Sequence, residues 1–346
     1  MENQKEVTIY DIARNLQIHP STVSKALNDD PKIAKKTKKR IFETAAQMGY
    51  RSNLLARSLR QQNTLTIGVI LPDLNSGFVG PLLSGIEKVT GMAGYGIIIT
   101  DSGQSAEKEA AHARNLFQRR VDGVIVLPTT ETTGFEHFKP FLEKRIPLVF
   151  LDRMANLPDV SSVVIDNRAC GYMATQHLVA QGCRRIVLLA PNVDQDIYAQ
   201  RYKGYRDALT ESGLKAEKAL IQLSPGSEEA FEAAAKKILA MKPLPDGVFA
   251  ASDLAAAVCV RTFQEQKLRV PQDIAVVGFN NDVIGRLVKP QLTTVNYPGR
   301  EMGDTAARHL VNHLRGEVNL MPITTLTIRA DLIVRESSLK KGGRPG

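Results

Sequence analysis

Residues 7–28, VTIYDIARNLQIHPSTVSKALN, constrain this chain most, because they encode two short amphipathic helices separated by a tight turn. Thr8 followed by Asp11 reads as a variant capping box, and Ile9, Ile12, Ala13 and Leu16 recur at helical spacing on one face. The first helix stops near Gln17. Pro20 suits the first turn of a second helix, with Val23, Ala26 and Leu27 inward and Ser21, Thr22, Lys25 and Asn28 outward. Short polar side chains on the leading turns of a second helix can enter a DNA major groove and bond base edges. A third helix is predicted from about Ala34 to Met48, with Ile41, Phe42, Ala45 and Met48 inward and Gly49 ending it.

Charge is placed in the same way. The net charge is +9, yet residues 1–62 carry 12 Lys and Arg against 6 Asp and Glu, and residues 339–346 add three basic groups. The intervening stretch is neutral. Lys35, Lys36, Lys38, Lys39 and Arg40 crowd the third helix, either as a solvated basic face or as a grip on backbone phosphates. Residues 53–60, NLLARSLR, form at most two helical turns, too short to be stable without a docking partner. Leu59 between Arg57 and Arg60 suits a wedge between base steps of the minor groove, or else packs on the body.

From residue 64 the pattern changes to apolar strands alternating with helical stretches: TIGVIL, GIIIT, GVIVLP and PLVFLD, then SVVID at 162–166, RIVLLA, ALIQL, GVFAAS and IAVVGF. This order predicts parallel, helix-covered sheets. The echo of Asp122-Gly123-Val124-Ile125 in Asp246-Gly247-Val248-Phe249 points to two similar halves. Two facing open sheets make a cleft at the carboxyl ends of their strands.

VTIYDIA, STVSKALN and GYRSNLLARSL closely resemble the DNA-binding head of the LacI/GalR family of bacterial transcription regulators. Gln17 stands where that family usually has Gly, and Ser52 where it usually has Pro before the Asn. The remainder is similar to the family's effector domain. PDLNSGF, LDR at 151–153, RYKGY, ASD at 251–253 and VVGFNND fall where cleft residues lie in the family. The resemblance implies an N-terminal all-α helix-turn-helix head plus an α/β body of two parallel-sheet subdomains, periplasmic-binding-protein-like. The expected divisions are a head at 7–50, a hinge helix and linker at 51–63, a first subdomain at 64–161 plus about 293–322, and a second at 162–290 plus about 323–338.

It further implies DNA contacts by Thr8, Tyr10, Pro20, Ser21, Thr22, Ser24, Lys25 and Asn28, and in the hinge by Asn53, Ala56, Leu59 and Arg60. In the cleft, Phe78 would stack on a ligand or merely plug the subdomain, and Asp73 would bond ligand or cap the next helix. Asp152 would accept from hydroxyls. Arg201 offers a five-donor fork, or a structural ion pair. Ser252 and Asp253 end a strand, and Asp253 is either a ligand contact or a helix cap. Asn280 stands where the family often has Asp, and an amide can donate as well as accept.

The expected partners are a near-palindromic double-stranded operator, a small-molecule effector such as a sugar or sugar derivative, and a second copy of the chain. The basic tail ESSLKKGGRPG carries no leucine heptads, which leaves a dimer rather than a coiled-coil tetramer. A protein coregulator is the alternative signal, and an unregulated sugar-binding protein the alternative class. No metal or cofactor is expected. Cys170, Cys183 and Cys259 lack paired spacing, and His19, His112, His137, His177, His309 and His313 read as surface groups. No phosphate-binding loop or nucleophile elbow occurs, and nothing reads as catalytic. The polar first ten residues and the lack of a long apolar run predict a cytoplasmic protein.

Overall fold

The computed structural model describes residues 7–50, 63–153, 157, 160–193, 196–317 and 325–340. It divides into two compact units, residues 1–64 and 65–346. Asn53, Ala56, Leu59 and Arg60 of the expected hinge lie outside the described residues.

The first unit holds three helices, α1 (Ile9–Leu16), α2 (Pro20–Leu27) and α3 (Lys35–Gln47). Thr8 N and Oγ1 both donate to Asp11 Oδ2, at 2.9 and 2.6 Å, and so start α1. Gln17 ends α1 in the left-handed region, φ 55° and ψ 42°, where glycine would carry no Cβ penalty. Ile12, Leu16, Val23, Ala26, Ile41 and Ala45 form the core. Phe42 does not join it. The ring is 48% exposed, because the face of α3 turned inward is the one bearing Ile41 and Ala45.

The second unit runs β1 (Thr66–Leu71), α4 (Val79–Met92), β2 (Gly96–Asp101), α5 (Ala106–Gln118), β3 (Gly123–Val126), α6 (Lys139–Glu143), β4 (Leu148–Leu151), β5 (Ser161–Ile165), α7 (Asn167–Ala180), β6 (Ile186–Ala190), α8 (Asp196–Glu211) and β7 (Ile221–Leu223). It continues with α9 (Glu228–Leu239), β8 (Gly247–Ala250), α10 (Asp253–Glu265), β9 (Ala275–Asn280), α11 (Ile284–Leu287), β10 (Thr293–Asn296), α12 (Gly299–Leu314), β11 (Thr325–Ile328) and β12 (Leu332–Ile333). Two six-stranded sheets result, ordered β11-β5-β4-β3-β1-β2 and β12-β10-β9-β8-β6-β7. All neighbours are parallel except β10 and β12.

Three strands sit in the lobe opposite to the one their place in the chain implies. β5, read as opening the second subdomain, pairs with β4 in the first, and β11 joins it there. β10, assigned to the first, pairs with β9 in the second. The chain therefore crosses between lobes after β5, after β10 and after β11.

Helices cover both faces of each sheet, so the strands are apolar on both sides. Ile67, Val69 and Leu71 point to the layer holding Leu82, Ile86, Met302 and Leu310, whereas Ile70, Val124 and Val126 point to the layer holding Leu116, Phe138 and Phe141. Each such side chain removed from water contributes about 1.5–3 kcal/mol. In both lobes two helices cross at bare backbone. A Cβ on Gly303 of α12 would collide with the Leu82 carbonyl of α4, and one on Gly204 of α8 with the Arg168 carbonyl of α7. The three cysteines are buried free thiols.

Candidate functional site

In the first unit, α2 presents its leading turn to solvent. His19 caps it: Nδ1 accepts from the Ser21 backbone N at 3.3 Å and lies 2.8 Å from Ser21 Oγ. Ser21, Lys25 and Asn28 are exposed, Pro20, Thr22 and Ser24 half-buried, Thr8 exposed and Tyr10 64% exposed. Each of these side chains thus keeps some access to solvent. Asn28 Nδ2 donates to the Ser24 carbonyl at 2.7 Å, so its amide also closes the helix. Lys38 stands apart from the other basic residues of α3. Its Nζ donates to Asp29 Oδ1 at 2.6 Å and to Asp29 O at 3.0 Å, clamping the left-handed Asp29. Lys35, Lys36, Lys39 and Arg40 remain exposed.

In the second unit, the carboxyl ends of β1, β3 and β4 in one lobe and of β6, β8 and β9 in the other enclose a cavity of about 450 Å³. Asp73, Phe78, Asp152, Arg201, Ser252 and Asn280 all line it. Asp73 Oδ1 accepts from Asn75 N and Nδ2, at 2.8 and 3.2 Å, which folds the loop after β1. Phe78 packs at 4.8 Å, tilted, on Tyr297. Ser252 Oγ accepts from Ala255 N at 3.2 Å and caps α10.

Asp152 carries the most unusual environment. It takes φ 63°, and its buried Oδ1 has no hydrogen-bond partner among the described residues. Burial pushes its carboxyl above the usual range, against the charge of Arg201 and the Tyr297 and Asn167 side chains. Tyr297 is pushed well up, by burial first and then by Asp152. Such a group forfeits free energy unless a donor arrives.

Arg201 is 4% exposed. Nε donates to Asn167 Oδ1 at 2.8 Å, Nη1 to the Ala251 carbonyl at 3.2 Å, and the guanidinium lies 3.5 Å from the Phe279 ring centre. It braces the cavity floor as well as facing the cavity. Arg153 donates from Nη1 to Thr129 O at 2.6 Å and from Nη2 to Thr132 O at 2.9 Å. Behind that loop the fully buried Glu109 accepts from Thr129 N, Thr132 Oγ1 and His137 Nε2, at 2.7, 3.0 and 2.9 Å.

Asp253 does not line the cavity. As the first residue of α10 it turns beneath β9, where Oδ2 accepts from Asp282 N at 2.7 Å and Oδ1 stands against Gly278. Burial pushes its carboxyl up to about 7, with bonds from Thr294 and Asp282 N opposing. It is a loop brace. Residue types single out none of Gln104, Arg153, Asn167, Tyr198, Asp282 and Tyr297 individually, and all of these but Asn167 line the cavity. Only Arg153, inside LDR, and Asp282, inside VVGFNND, had a local signal. Nor are all histidines superficial: His177 bonds Ser338 Oγ at 2.7 Å and His309 bonds Ser161 Oγ at 3.2 Å, and burial lowers both.

An exposed reading helix and a two-lobed ligand cleft in one chain define a ligand-responsive DNA-binding regulator. Residues 8–53 match the pattern of bacterial regulatory proteins of the lacI family, and residues 175–338 that of the periplasmic binding protein-like domain. Catabolite control protein A of Priestia megaterium is 33% identical over 90% of this chain and 93% of its own. HTH-type transcriptional regulator RegA of Clostridium saccharobutylicum is 32% identical over 96% and 99%. The transcriptional regulator CelR–cellobiose complex superposes with a TM-score of 0.71 at 28% identity, over 96% of this chain and 100% of its own. The chain belongs to the lacI family of bacterial regulatory proteins.

Proposed function

We propose that this regulator is a homodimeric repressor of carbohydrate-use genes, that α2 reads each half of a near-palindromic operator, and that a neutral, hydroxyl-rich saccharide in the cavity sets its DNA affinity. The unpartnered Oδ1 of Asp152 carries the ligand assignment, because Asp152 lines the cavity, whereas the equally unpartnered Oδ1 of Asp253 lies away from it. Two bonds of each arginine are already given to the protein, and the lining holds Asp73, Asp152 and Asp282 against Arg153 and Arg201. That balance opposes a phosphate. Phe78, Tyr198 and Tyr297 supply apolar faces for a sugar ring. The CelR relative with cellobiose is consistent with this class. Ser21, Thr22 and Lys25 read bases, while Lys35, Lys36, Lys39 and Arg40 hold phosphates. The effector biases two arrangements of the lobes through its unequal affinity for them, and residues 51–63 pass that bias to the head.

The test is a thermal-shift panel of glucose, cellobiose, ribose, their phosphates and hypoxanthine, followed by operator binding in the presence of each hit. A neutral sugar should raise the melting temperature, and Asp152→Asn should weaken its binding roughly 10- to 100-fold while the fold survives. Stabilisation by a phosphate or the purine alone overturns the neutral-ligand reading.

A further inference from the structure

Two loops meet across the cavity mouth. One follows β1 and leads through Asn75, Ser76 and Gly77 into α4; the other follows β9 through Asn280, Asn281 and Asp282. The carboxylate of Asp282 lies so close to Gly77 that any Cβ there would collide with it. Gly77 has no positive φ, and the three atoms nearest to a Cβ there all belong to the Asp282 carboxylate of the opposite lobe. The position lies two residues before α4, whose dipole favours negative charge at this end.

The second loop is held stiffly for this purpose. Asn280 and Asn281 take φ 109° and 59°, both at positive φ, which side-chain-bearing residues rarely adopt. Asn281 N donates to Thr294 Oγ1 at 3.2 Å, its Nδ2 donates to Asn296 Oδ1 at 3.0 Å, and its Oδ1 accepts from Arg335 Nη2 at 2.8 Å. Asp282 N is fixed by the fully buried Asp253. Strain this well supported is functional more often than accidental.

We infer that Asp282 is a latch between the lobes, seated on the bare Cα of Gly77 when the cavity is closed and withdrawn when it opens. The latch raises the closed fraction, and the apparent affinity of a cavity ligand rises with that fraction. This concerns regulation of the same cleft and rests on reading it as the effector site.

The test uses the full chain without ligand, so its outcome is independent of which effector binds. Hydrogen exchange is followed in segments 74–80 and 278–284 for Gly77→Ala, Asp282→Ala and the double variant. Each single change should speed exchange in both segments roughly tenfold, and the double change should add little, as expected for partners in one contact. Faster exchange confined to the mutated segment, additive effects, or a rise that extends to α6, which contributes nothing to the cavity lining, overturns the latch. Asp282→Asn should retain shape without charge and fall between wild type and Asp282→Ala; a value equal to wild type removes the electrostatic part.

Discussion

The guanidinium of Arg201 lies over Phe279, its Cζ 3.5 Å from the ring centre, while it donates to Asn167 Oδ1 and the Ala251 carbonyl. One side chain from α8 thereby ties α7, β8 and β9 together beneath the cavity. Lysine has neither the plane nor the fork to repeat this. Arg201→Lys should cost about 2 kcal/mol of stability, measured by urea unfolding, besides weakening ligand binding. A variant as stable as wild type would leave Arg201 with a ligand role alone.

Asp253 gives a pH signature. Its folded carboxyl, pushed up to about 7 from 3.8 chiefly by burial, binds its proton more tightly than the unfolded chain does. Its contribution is therefore greatest below about pH 4 and declines as pH rises to 7, the opposite of an ordinary salt-bridged carboxylate. Asp253→Asn should remove this slope: melting temperature relative to wild type should rise between pH 5 and 8. Parallel curves would contradict it.

Among the basic residues of α3, Lys38 and Lys39 should part company. Lys38→Ala releases the left-handed Asp29 and should lower the melting temperature of the first unit. Lys39→Ala should leave that temperature unchanged and reduce the slope of log affinity against log salt by about 0.9 on operator DNA. Titrations at several salt concentrations, beside thermal scans, separate the two.

Gln17 holds φ 55° without being glycine. Gln17→Gly should stabilise the first unit by about 1 kcal/mol, because the left-handed cost of a Cβ disappears. Differential scanning calorimetry measures it.

What could be read from residue types was what depends on near neighbours in the chain. The 3.6-residue period of Ile9, Ile12, Ala13 and Leu16 marks α1 wherever it packs, and the run Gly123–Val126 is a buried strand in any context. Phe42 shows the limit: its spacing fits an inward stripe, but α3 turns the face bearing Ile41 and Ala45 to the core instead. β5 is equally apolar in either sheet, so its own pattern carries no record of which lobe receives it. The cavity divides likewise. Asp73, Phe78, Asp152, Ser252 and Asn280 follow directly from strand ends, where ligands collect. Tyr297 enters only because the chain returns from the other lobe, and Asp253 points away because the first turn of α10 directs it under β9.

The three crossings after β5, β10 and β11 hold the lobes together at three points of the chain, which resists their separation. Neither lobe is a continuous stretch of sequence, so neither can be excised with its half of the cavity intact. A cut in any one of the three crossings would therefore leave both halves of the cavity tethered by the other two.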